Sequence, residues 1–180
     1  MSPATTYHPV SRALHWISAV AVLGLLALGL WMTGLPLGLA KLQAYNWHKW
    51  VGLAVLALAG ARILWRRRHP PPALPAAVTG WQAKAAPIVH WTLLALLIAL
   101  PISGWAMSSA AGISIVWFGI LRLPDLVPGD RALFEALKTT HYGLSRLLIG
   151  VLILHVAAVL YHDLWRRDGV LRRMWPLGGS

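Results

Sequence analysis

Residues 141–163, HYGLSRLLIGVLILHVAAVLYHD, constrain this chain more than any other stretch. They are apolar and long enough to cross a bilayer as a helix, yet they contain His141, His155 and His162. At about 100° per residue, the 14 steps from His141 to His155 return to within roughly 40° of the starting direction. The 7 further steps to His162 add only roughly 20°. All three share one stripe of one helix. The first two are separated along its axis by about 21 Å, most of the thickness of a hydrocarbon core. An ionisable residue inside a span is costly and marks a functional site by default. Two imidazoles at opposite depths of one helix read as anchors for two separate cofactors.

Composition puts the rest of the chain in the same setting. Of its 180 residues, 58% are hydrophobic and 12% are charged, against about 25% charged in soluble domains. The sequence reads as an integral membrane protein embedded in a lipid bilayer. The net charge of +11, from 16 Lys and Arg against 5 Asp and Glu, would suit nucleic acid. The basic residues flank apolar runs instead of forming one patch, so no nucleic-acid role is expected and the positive-inside rule accounts for them. The absence of cysteine excludes disulfides, thiolate metal sites and iron–sulfur ligation. Eleven tryptophans suit interfacial belts and packing on a planar cofactor.

Four apolar runs predict helices over about 15–34, 48–65, 87–107 and 141–164, in one membrane domain covering 1–180. The first run is too long for a signal-peptide core and lacks a cleavage site, so it is expected to be retained. The second ends in Arg66-Arg67-Arg68-His69-Pro70-Pro71-Pro72, where prolines stop the helix and arginines anchor it. The longest connection is 108–140. Its apolar part, 112–121, is too short to span and is placed at the interface, with short helical segments expected in this connection. Residues 130–139 read as a short helix with Asp130 as N-cap. Arg12, the Arg66–Arg68 cluster, Lys84 and the arginines after residue 164 fall on one side. Lys41, Lys49, Arg122, Arg131 and Lys138 fall on the other, partly offset by Asp125, Asp130 and Glu135. Both termini are therefore expected in the cytoplasm, with the chain in a bacterial inner membrane. The fold class is all-α, a transmembrane four-helix up-down bundle.

In that topology the histidines sort by depth. His48 and His141 open the second and fourth helices at the outer level, while His15 and His155 lie toward the inner level. This predicts two transverse pairs, His48 with His141 and His15 with His155. Two neutral imidazoles facing each other across a plane are what bis-histidine ligation of a b-type haem needs, an arrangement that favours electron transfer. Two such haem b groups, stacked through the bundle, would make a transmembrane electron wire. Zinc is the competing reading, but it wants three or four ligands at one depth. His15, His90, His155 and His162 are the set that could converge, which would leave the outer pair unexplained. His8 and His69, in the polar flanks, read as plain interfacial residues.

Several blocks give the chain a family likeness: Arg12-Ala-Leu-His15-Trp16; His48-Lys-Trp-Val-Gly52 leading to Arg62; and His90 followed by Leu100-Pro101-Ile-Ser-Gly104. Then come His141 and His155, His162, and Arg167-Asp168-Gly-Val-Leu-Arg-Arg-Met174-Trp-Pro176. In this order and spacing the chain resembles the bacterial cytochrome b561 family of di-haem membrane proteins over nearly its whole length. The resemblance implies iron ligation by His15, His48, His141 and His155, in agreement with the pairing by depth. It also implies an activity: superoxide oxidation at the outer haem, with the electron passed inward to ubiquinone.

The remaining candidates follow from charge and depth. Arg12 and Arg62 are placed to meet the propionates of the inner haem, and Arg146, an expensive charge inside the fourth helix, to partner the outer one. His162 and His90 suit a quinone site near the inner haem, since neutral imidazole can donate, accept or take up a proton; Asp163 and Arg12 are possible helpers there. Gly52, Gly143 and Gly150 offer room beside the ligands. Lys41, Lys49, Arg122, Arg131 and Lys138 form a candidate funnel for a small anion. A second function of a different class is a membrane-anchor subunit that relays electrons between a dehydrogenase or hydrogenase partner and quinone. An electron-donor protein is thus compatible with the sequence.

Overall fold

The computed structural model describes residues 6–75 and 78–175. The first residues of the polar flank, two residues of the proline- and alanine-rich linker, and Pro176 with the tail after it lie outside the described residues. The chain forms four long helices: α1 (Pro9–Thr33), α2 (Leu39–Arg68), α3 (Gly80–Ala110) and α4 (Arg131–Leu160). A π-helical turn, Tyr161–Arg166, continues α4. Between α3 and α4 lies an antiparallel hairpin of β1 (Val116–Trp117) and β2 (Leu121–Arg122).

These helices have 25, 30, 31 and 30 residues, or about 37–46 Å at 1.5 Å per residue. A hydrocarbon core is about 30 Å thick. Their ends must project beyond it, which is why they outrun the apolar stretches that signal them. The difference is largest in α4. Asp130 is its N-cap, accepting from the Leu133 backbone N–H at 2.7 Å, but the helix it opens runs on without a break to Leu160. The expected short helix is the first turns of a long one. The 112–121 stretch also departs from a helical reading, forming the hairpin instead.

Three helical segments, Pro9–Thr33, Gly80–Ala110 and Arg131–Arg166, are long and apolar enough to cross a membrane. Three such helices make the chain a multi-pass membrane protein. Helix α2 is as long but less apolar, because Lys41, Lys49, Arg62 and the Arg66–Arg68 end all lie on it. It packs between α1 and α3, and α4 packs on α3. Val22, Val55, Ala59, Leu94, Leu96, Leu97 and Leu148 form the buried centre. Val20, Leu23 and Ile153 are 57–70% exposed, an outer surface suited to lipid and costly in water.

Both described ends of the chain meet at one end of the bundle. The Tyr7 N–H donates to the Arg173 carbonyl at 3.2 Å, Trp16 Nε1 to Met174 at 2.8 Å, and Arg173 to the Ala73 carbonyl of the linker at 2.6 Å. At the other end, Trp50 Nε1 donates to the Val116 carbonyl at 2.7 Å and Trp117 Nε1 donates back to Trp50 at 3.1 Å. This reciprocal pair fixes the hairpin to α2. Phe118 sits at its tip with φ of 50°, a conformation a bulky residue adopts only when its surroundings impose it. Its ring lies 5.1 Å from that of Trp50 and 6.1 Å from that of Trp47, which provides the imposing contact.

Asp130→Ala should remove the α4 cap and lower stability by about 1 kcal/mol. Thermal unfolding in detergent measures it, and an unchanged midpoint would show the cap to be dispensable.

Candidate functional site

Helix α4 carries His141 and His155 on one stripe, but its backbone runs against α3. Its histidines reach across the bundle interior to meet partners on α1 and α2. The ring centres of His48 and His141 are 6.4 Å apart, with planes at 72°. Those of His15 and His155 are also 6.4 Å apart, at 65°. A metal–nitrogen bond of about 2 Å on each side, plus about 1 Å from nitrogen to ring centre, gives a separation of about 6 Å. Each pair is therefore spaced to hold one metal ion between two nitrogens, and a twist between the ring planes does not alter that spacing. Among the described residues, no group of three or more His, Cys, Asp or Glu is placed to hold a metal ion. Two opposed nitrogens suit an ion whose other ligands arrive with it, as a porphyrin provides.

Glycines set how the first pair is presented. A Cβ built on Gly29 of α1 would lie 3.2 Å from His48 Cε1 and 3.7 Å from its Nδ1. One built on Gly104 of α3 would lie 3.3 Å from His141 Cε1 and 3.5 Å from its Nδ1. Both rings thus lay the Nδ1–Cε1 edge against a neighbouring helix backbone, which leaves Nε2 as the nitrogen available to a ligand. Sequence reading had pointed to Gly52, Gly143 and Gly150, none of which has a neighbour within 4 Å of such a Cβ. The space beside those three is open. The close approaches come from α1 and α3.

The second pair has a different neighbourhood. His90 of α3 lies 5.5 Å from His155, ring centre to ring centre, and is exposed. Arg62 lies close enough to His15, His90 and His155 to bear on all three. One turn further along α2, the Arg66 guanidinium sits 4.8 Å from the Trp91 ring centre, a cation–π contact. Arg12, at the same end, donates to the Trp175 carbonyl at 3.1 Å, which ties it to the C-terminal segment.

His162 is buried. Its Nδ1 is 2.5 Å from Asp168 Oδ2, whose side chain is itself enclosed. The π-helical turn and the left-handed Arg167, with φ of 51°, fold the chain back so that a residue six positions on can reach the imidazole. Asp168 was visible only as part of a motif, since partnership across a reversal has no periodicity to reveal it. Asp163 makes no such contact.

Arg146 is exposed, and its guanidinium lies 4.8 Å from the ring centre of Tyr142. It is five residues beyond His141, about 140° around the helix, so the two do not share a face. The expected partnership with an outer cofactor finds no support in this placement. Of the funnel residues, Lys41 donates to the Leu35 carbonyl at 2.7 Å, Arg122 to Ser114 at 3.1 Å, and Lys138 pairs with Glu135 at 3.2 Å. Lys49, next to His48 and half-buried, makes no ion pair among the described residues.

An α-helical membrane bundle with two stacked histidine pairs is the class of protein this geometry defines. The comparisons give its family: residues 6–177 match prokaryotic cytochrome b561, and the chain belongs to that family. It is similar to cytochrome b561 homolog 2 of Escherichia coli K12, 32% identical over 93% of this chain and 90% of the relative. It is also similar to the probable superoxide oxidase CybB of Yersinia pestis, 30% identical over 94% and 96% of the two chains. Cytochrome b561 homolog 1 of Escherichia coli K12 is 28% identical, covering 91% and 93%. The chain is thus a transmembrane electron carrier of a family that works with b-type haem.

Asp168→Ala would leave a buried imidazole nitrogen without its partner, at a cost of about 1–3 kcal/mol. Faster tryptic cleavage at Arg172 and Arg173 is the expected readout, and unaltered cleavage would mean that the pair does not hold the C-terminal segment.

Proposed function

We propose that the chain binds two b-type haems, one at His48/His141 and one at His15/His155, and oxidises superoxide on the outer side while reducing ubiquinone near the inner pair. The observation that carries this reading is the shared 6.4 Å separation of two histidine pairs lying about 21 Å apart along α4. The likeness to a probable superoxide oxidase supports the choice of reaction. Haem, when bound, would be held by these histidines and would supply one-electron chemistry.

The residues divide the rest of the work. Lys49, beside His48, offers an uncommitted cation to a small anion at the end of the bundle where the hairpin is fixed to α2. At the other pair Arg62 offers its charge to the haem carboxylates. His90, exposed and next to His155, suits hydrogen bonding to a quinone oxygen. His162, in contact with Asp168, suits proton delivery. Two superoxide anions each lose one electron to become dioxygen, and the two electrons with two protons convert quinone to quinol. We place the chain in the bacterial inner membrane with both termini in the cytoplasm, as the distribution of arginines supports.

The test is the visible spectrum of the oxidised protein during a superoxide pulse, with and without ubiquinone. Rapid appearance of reduced b-type bands that fade only with quinone is expected. Reduction by dithionite but not by superoxide would overturn the enzyme reading and favour a relay subunit fed by a donor protein. His48→Ala or His141→Ala should remove about half the haem, and His15→Ala or His155→Ala the other half; loss of all haem in each variant would sink the separate pairs. Lys49→Ala should slow reduction by superoxide several-fold and leave dithionite reduction unchanged. His162→Ala should keep both haems and slow only quinone-dependent fading, and unchanged fading would remove it from the quinone site.

A further inference from the structure

The two histidines of the first pair are held differently. His48 Nδ1 is buried and has no hydrogen-bond partner among the described residues. His141 Nδ1 lies 2.9 Å from Ser103 Oγ, on a buried serine of α3. A serine hydroxyl has one proton, and here it is donated to the Leu100 carbonyl at 2.8 Å. Ser103 can therefore only accept from His141. That contact calls for a proton on Nδ1.

We propose that Ser103 is a positioning residue for His141, accepting its Nδ1–H and so fixing the tautomer in which Nε2 carries the free lone pair. Without this contact a neutral imidazole is free to carry its proton on either nitrogen, and the Nε2–H form cannot bind a metal through Nε2. The adjacent Gly104 completes the arrangement, since it lets the same Nδ1–Cε1 edge approach α3. An N–H held by an oxygen acceptor also makes the imidazole a stronger donor to its metal, which favours the oxidised ion. His48 has no such support, so the tuning enters through α3 alone.

This inference rests on the proposed haem pairs, and its test separates the two. Wild type, Ser103→Ala and Ser103→Thr are compared by potentiometric titration of the visible bands and by electron paramagnetic resonance of the oxidised protein. Ser103→Ala should shift one of two midpoint potentials upward and change one low-spin signal, leaving the other haem as it was. Ser103→Thr, which restores the hydroxyl, should return both readouts toward wild type. Unchanged potentials and signals in Ser103→Ala would overturn the proposal, as would equal changes in the alanine and threonine variants. Should Ser103→Ala lose one haem, retention by Ser103→Thr would support the role and loss by both would overturn it. A wild-type protein without two distinct b-type haems would overturn the pairs themselves, and this inference with them.

Discussion

Hydrocarbon offers no partner to an imidazole, and the rest of this structure follows from that constraint. A helix crossing a bilayer can satisfy its own backbone, but not a polar side chain on its surface. His141 and His155 must therefore point inward, and the 14 residues between them keep both on the inward stripe of a helix that does not bend away. Helices α1 and α2 supply one opposing ring each. The bundle is shaped less by its small apolar core than by the need to bring four imidazoles face to face at two levels.

The glycines show how that need reaches into helices that carry no ligand at the level concerned. Gly29 belongs to α1, whose own histidine serves the other pair, yet a side chain there would press on His48. Gly104 does the same for His141 from α3, a helix that contributes to neither pair. Helix association in membranes relies on small residues because they let backbones come close. Here the same smallness lets a ring come close to a backbone, and the two uses are distinguished only by what stands opposite.

Much of this was legible in the sequence because the strongest signals are periodic or compositional. Apolar runs, a stripe of histidines and a ladder of basic residues all repeat along the helix axis, and they led to the pairs that the rings in fact form. What stayed hidden is tertiary. Helix ends beyond the hydrocarbon have no apolar signature, so α4 began ten residues earlier than its span suggested. The hairpin at Val116–Arg122 depends on two tryptophan side chains from elsewhere, one of them 66 residues away from its partner. Asp168 reaches His162 through a chain reversal, and Ser103 lies 38 residues from His141. The setting of Arg146 is tertiary too: five residues beyond His141 it is exposed and lies over the Tyr142 ring.

The two levels of the bundle differ in their surroundings more than in their histidines. At the level of His48 and His141 stand two glycines, a serine, the half-buried Lys49 and the aromatic cluster of Trp47, Trp50 and Phe118. Around His15 and His155 there are two arginines, an exposed third histidine and, at the same end of the bundle, the His162–Asp168 pair. A quinone arrives through lipid and takes up protons as it is reduced, so it needs an opening on the bundle surface and groups that carry protons. Superoxide is small, already charged and gives up only an electron, so it needs neither. In the proposed reaction the groups that carry protons thus stand at the level where a quinone would consume them, and Lys49 stands at the level where a small anion would give up its electron.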